Sequence, residues 1–132
     1  MQTLQTQAAQ GDAEAQYNLG KLYQKGWGVP QDYAKARQWY EQAAAQGDAS
    51  AQVYLGWLYR DGHGVPKDYA QAAQWFEKAA AQGDASAQVV LGYLYANGQG
   101  VPQDYSMARQ WWEKAAAQGD AMAQTNLGAL GK

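Results

Sequence analysis

The chain has 132 residues, 47% of them hydrophobic, which suits one soluble domain with its own core and argues against disorder. A formal net charge of -2 and a pI near 5.2 leave no broad basic surface for a phosphate backbone, so no nucleic-acid partner is expected. Zero cysteines exclude disulfides, thiolate metal sites and thiol nucleophiles.

The first ten residues, MQTLQTQAAQ, contain neither a basic segment nor an apolar stretch long enough for a signal peptide or a membrane span. The expectation is an untargeted soluble chain without membrane partners, cytoplasmic by default. From Gly11 the sequence repeats. GDA recurs at Gly11, Gly47, Gly83 and Gly119, a constant spacing of 36, and Leu19, Leu55, Leu91 and Leu127 keep the same phase, as do Trp39, Trp75 and Trp111. Residues 11–46 and 47–82 agree at 24 of 36 positions. The whole chain thus reads as one repeat domain with full units at 11–46, 47–82 and 83–118. Residues 1–10 match the last ten positions of a unit and form a partial B-helix cap, while 119–132 match the first fourteen and form an A-helix cap.

Each unit reads as two helices. Gly47 suits the end of one helix and Asp48 the N-cap of the next, so helix A of the second unit runs from about Ala49 to Arg60. DGHGVPKD breaks the pattern, and Asp68 can then cap helix B through YAQAAQWFEKAAAQ. Seven aspartates, Asp12, Asp32, Asp48, Asp68, Asp84, Asp104 and Asp120, stand where helices need caps.

The same repetition removes the catalytic readings. His63, the only histidine, is replaced by Trp27 and Gln99 in the other units, which makes it a solvated turn residue. Neither a zinc ligand set nor a nucleophile stands near it. Glu41, Glu77 and Glu113 form a ladder of surface acids one unit apart, and Ser50, Ser86 and Ser106 have no histidine in register. No catalytic residue, metal site or cofactor is expected.

The pattern AxAQxxLGxLYxxGxGVPxDYxxAxxWxxxAAxQG closely resembles the Sel1-like repeat family, a relative of the tetratricopeptide repeats, over essentially the whole chain. The resemblance implies an all-α, right-handed solenoid of antiparallel helix pairs that serves as an adaptor holding other proteins. Some tetratricopeptide relatives grip a terminal carboxylate with a Lys/Asn/Arg cluster. Asn18 and Lys21 are present here, but Ser50, Tyr54, Ser86 and Val90 stand where more polar groups would be wanted. A branch of bacterial Sel1-like proteins is cysteine-rich, with attributed hydrolase or antibiotic-binding activity, and this chain departs from it.

Positions at which the units differ point to a surface. At about 100° per residue, the invariant positions of helix A in the first unit (Ala15, Leu19, Gly20, Leu22 and Tyr23 among them) fill one half of the wheel, a core face on which Gly20 permits close approach. Tyr33, Trp39 and the aromatic slot Tyr40/Phe76/Trp112 supply helix B's share of that core. The variable half carries Tyr17, Asn18, Lys21 and Lys25, then Val53, Trp57 and Arg60, then Val89, Tyr93 and Asn97. In such solenoids the A helices line the concave groove, so these residues form the candidate site for an extended, apolar and acidic peptide. The large rings have two readings that the sequence leaves open, ligand contact and packing across the groove.

Two further readings of the array compete with an adaptor. High identity between units fits a consensus-designed scaffold without a natural ligand. The two half-units at the ends fit head-to-tail self-assembly, although Thr3 and Leu4 in place of paired aromatics and GALGK in place of GxLYxx look like caps. A monomer is the expected state, with weak end-to-end association as the alternative.

Overall fold

Aspartate side chains set seven helix starts. Asp12, Asp48, Asp84 and Asp120 each accept the backbone N–H three residues on at 2.9 Å, and Asp32, Asp68 and Asp104 do the same at 3.1 Å. Each bond satisfies one of the orphan donors of a first helical turn. The computed structural model describes residues 2–130. Its helices, in order, are α1 (Gln2–Ala9), α2 (Ala13–Lys25), α3 (Tyr33–Ala45), α4 (Ala49–Asp61), α5 (Tyr69–Ala81), α6 (Ala85–Asn97), α7 (Tyr105–Ala117) and α8 (Ala121–Leu130), with no strand among the described residues. The A helices are α2, α4, α6 and α8, and the B helices are α1, α3, α5 and α7.

Every helix packs chiefly on its neighbours in the chain, A on its own B and B on the following A. The result is an all-α solenoid. Its core alternates alanines of the B helices, such as Ala36, Ala72 and Ala108, with leucines of the A helices, such as Leu19, Leu55 and Leu91, all buried. The aromatic slot fits into this interface through glycine. A methyl group on Gly56 would lie 2.8 Å from the Phe76 ring, and one on Gly20 would lie 2.7 Å from the Tyr40 ring. Gly92 sits in the same relation to Trp112. Only a residue without a side chain lets the ring lie flat against the A helix, so the close approach expected at Gly20 holds in all three units.

Successive units are joined by buried glutamines. Gln16, Gln52 and Gln88 are 3–4% exposed. Their Nε2 groups donate to the carbonyls of Ala8, Ala44 and Ala80, near the C-terminus of the preceding B helix, at 3.0–3.2 Å. Their Oε1 atoms accept from Gln46, Gln82 and Gln118, at the end of the unit's own B helix, at 2.9–3.1 Å. An unpaired buried amide costs about 1–3 kcal/mol. Here each amide ties three helices together.

The turn that carries His63 is part of the same joinery. His63 is exposed, and its ring packs at a tilt of 48° against Tyr33 of the preceding unit with centroids 4.5 Å apart. Gly64, at φ +78°, lies so close to the Tyr33 backbone that an added Cβ would come within 2.8 Å of its carbonyl carbon. Both the left-handed conformation and the contact require glycine. The loop's residues therefore answer to packing between repeats.

Candidate functional site

The variable residues of the A helices fall into two unlike regions. In the first, between α2 and α4, the rings are packed together. Tyr17 lies 6.0 Å from Tyr40 and 5.4 Å from Tyr54, and Tyr40 meets Tyr54 edge-on at 5.5 Å. The Tyr40 hydroxyl donates to Gln24 Oε1 at 2.6 Å. Burial pushes the Tyr17 phenol well above its usual range, reinforced by a hydrogen bond with Tyr54, and burial raises Tyr40 likewise. The Lys21 ammonium covers the cluster, 5.6 Å from the Tyr17 centroid and 6.0 Å from that of Tyr54. Asn18 is half-buried and lines a separate hollow with Leu4 and Gln7 of α1, and exposed Lys25 reaches over Trp27 at 5.8 Å.

The second region, formed by α4, α6 and the start of α8, holds an open cavity of about 390 Å³. Trp57 and Arg60 make the α4 wall, Val89, Val90, Leu94, Tyr93 and Asn97 the floor and side on α6, and Asp120 and Met122 the far wall. Its aromatic members are braced from beneath. Trp57 meets Phe76 edge-on at 5.4 Å, and Tyr93 meets Trp112 at 5.5 Å. The Tyr93 hydroxyl donates to Asn126 Oδ1 at 3.2 Å, and Trp112 Nε1 donates to the Val89 carbonyl at 3.0 Å. The Arg60 guanidinium lies 4.8 Å over the Trp57 ring.

Two of the candidate residues are not on the surface. Val53 and Val89 are only 6% and 5% exposed, and Val90, expected beside them, is 8% exposed. Their position lies at the edge of the variable half, where a short valine sinks against the B helices; Val53 packs in the cluster of Ala72, Ala73 and Phe76. Tyr17 occupies the same position in the first unit and is long enough to emerge. Tyr17, Trp57 and Tyr93 are each half-buried, with the ring against a neighbouring aromatic and part of it exposed. The cavity brings Trp57, Arg60, Val89, Tyr93 and Asn97 together, whereas Tyr17, Asn18, Lys21 and Lys25 do not line it.

Val90, Ser86 and Met122 also line the cavity, although they are not among the candidate residues of the sequence. The signal was a size difference. Tyr54 stands in the second unit where Val90 stands in the third. The ring of Tyr54 fills the first region, and its absence at Val90 leaves the second one hollow.

A 36-residue period of capped helix pairs, with its variation concentrated on one helix face, defines an α-solenoid repeat protein. The Sel1 repeat profile matches residues 13–48, 49–84 and 85–120, and the chain belongs to the Sel1 repeat family. These windows keep the same period and begin two residues after the unit boundaries at 11, 47 and 83. Among solved structures, a protective antigen of uropathogenic Escherichia coli with an SLR fold is 46% identical, with a TM-score of 0.95 over 96% of this chain. The chain spans 27% of that protein's length. A Sel1 repeat protein from Oxalobacter formigenes is 41% identical, with a TM-score of 0.89, and the match covers 97% of this chain and 96% of that one. Helicobacter pylori cysteine rich protein B is 26% identical, with a TM-score of 0.75 over 95% of each chain. No curated protein matches the sequence. Nothing in these likenesses supports a designed origin. The Sel1 repeat fold is typical of protein-interaction scaffolds that are generally not catalysts. Among the described residues no helix is long and apolar enough to cross a membrane, and no group of His, Asp or Glu is placed to hold a metal.

Proposed function

We propose that this protein is a non-enzymatic adaptor that holds an extended segment of another protein along its A-helix face, seated in the cavity between α4, α6 and α8. The observation that carries the reading is the cavity itself. It collects an indole, a phenol and a guanidinium, the groups that most often dominate binding energy at protein interfaces, around an apolar floor on the face where the units diverge. The rings are held from below by Phe76 and Trp112, so a ligand meets preformed walls with little ordering cost.

Random-peptide display on the immobilised protein tests this, run beside Val90→Tyr and a Trp57→Ala/Tyr93→Ala variant of matched helicity. Val90→Tyr installs the residue that the second unit already carries at the equivalent position, so it should close the cavity and leave the solenoid intact. The parent should enrich a peptide family that neither variant retains. No enrichment, or equal enrichment by all three, would overturn the assignment.

A further inference from the structure

The cavity's two walls carry opposite charge, and this determines more than the presence of a ligand. On the α4 wall Arg60 is half-exposed, lies over Trp57 and, among the described residues, has no carboxylate within salt-bridge distance. The ion pair found among the described residues, Arg37 with Glu41 at 3.3 Å, is on α3. Lys21, further along the same A-helix face, likewise covers rings and not an acid. On the α8 wall stands the Asp120 carboxylate, with its Oδ1 engaged by the Ala123 N–H and its negative charge held at the start of a helix. Between these walls Val89, Val90 and Leu94 make the floor apolar.

We infer that the cavity selects a polarised segment of a partner protein: one large apolar side chain on the Val90 floor, an acidic residue on its Arg60 side and a basic residue on its Asp120 side. The inference rests on the adaptor reading and adds the chemistry and direction of the segment. Size limits the apolar element to one anchor. A volume of about 390 Å³ lies near the lower end of the roughly 300–1,000 Å³ typical of small-ligand pockets. A single Trp, Phe, Leu or Met side chain with its flanking backbone suits such a space. Charge fixes the order. A carboxylate toward Arg60 gains a charge-assisted, bidentate partner that already lies over the Trp57 ring. The same carboxylate near Asp120 meets a like charge. A segment threaded backwards thus places each charge against its own sign and is rejected.

The test uses a display library of nonapeptides with a fixed central Trp, Phe, Leu or Met and random flanks. It is selected on the parent, Arg60→Glu, Arg60→Gln, Asp120→Asn and Val90→Tyr, each confirmed helical by circular dichroism. Asp120→Asn keeps a capping side chain while removing the charge. Peptides won by the parent should carry Asp or Glu on one flank of the anchor and Lys or Arg on the other. Arg60→Glu should convert the acidic flank to a basic one with the anchor unchanged and weaken the parental peptides at least tenfold. Arg60→Gln should erase the acidic preference, Asp120→Asn should erase only the basic one, and Val90→Tyr should bind none. Apolar anchors without flanking charge, or a bias untouched by Arg60→Glu, would overturn the polarity and leave the adaptor reading standing. Failure to enrich any peptide would overturn both. A second copy of the chain seated in the cavity would appear in sedimentation as a doubled mass abolished by Val90→Tyr, and would also overturn the assignment.

Discussion

The α2–α4 junction and the α4–α6–α8 junction are built on the same backbone unit, yet one is filled and the other hollow. At the first, Tyr17, Tyr40 and Tyr54 close on one another beneath Lys21. At the second, Val90 replaces Tyr54, and the space between Trp57 and Met122 stays open. The contrast shows that a repeat array can write a local site by changes of side-chain size, Tyr17 to Val53 and Tyr54 to Val90 among them, with no change to the helices that carry it. The scaffold is common to both junctions, and the difference lies in what stands on it.

The sharpest way to break the comparison is to remove the ring beneath each junction. Tyr40→Ala and Trp112→Ala each delete a buried aromatic from its glycine slot, and each should cost about 3–5 kcal/mol in urea denaturation. Equal losses would confirm that both junctions share one foundation. Next in size is Tyr54→Val, which imports the third unit's residue into the second. It should cost about 2 kcal/mol and open, between α2 and α4, a cavity like the one between α4 and α8, visible in a crystal structure of the variant. Collapse of Tyr17 into the vacated space would contradict the size argument.

Smaller effects sharpen the contrast between scaffold and surface. Gln52→Ala removes one amide of the joint and leaves the Ala44 carbonyl and the Gln82 amide without their partner, a loss of about 1–3 kcal/mol with peptide binding at the cavity unchanged. The tyrosine cluster adds a pH signature. The folded-state values of Tyr17 and Tyr40 lie above the ordinary 10.0 because burial disfavours the phenolate. Their neutral forms therefore contribute stability that is complete below pH 10 and lost as pH climbs past it. Thermal melts from pH 8 to pH 11 should fall at the alkaline end, and a Tyr17→Phe/Tyr40→Phe variant should fall less. A flat profile for the parent would remove the cluster's role.

Much of this architecture is written where a one-dimensional reading can find it. The period of 36, the seven capping aspartates and the glycine facing each aromatic slot are local signals, because each depends on residues a few positions apart or on a motif copied in phase. The helical wheel also put Trp57, Arg60 and Tyr93 on the face that holds the cavity. It gave Val53 and Val89 more exposure than they have because a wheel assigns direction and ignores reach: valine and tyrosine share one direction at this position and end at different depths. The role of Gln16, Gln52 and Gln88 was equally hidden. Their partners lie 8 residues back and 30 residues ahead, so the repeated AQ shows that the position matters but not that it is hydrogen-bonded. The cavity was legible only as a disagreement between Tyr54 and Val90, and its closure at one junction depends on three rings from three helices.

The glutamine joint has a consequence for how such arrays grow. Each unit offers its neighbours the same amide and the same carbonyl, and neither group belongs to the face where the units diverge. Any unit can consequently follow any other. Lengthening by duplication leaves the glutamine joint at each seam unchanged, and the new copy is free to acquire a specificity of its own. The joint works as a standard coupling, which separates the grammar of assembly from the vocabulary of recognition.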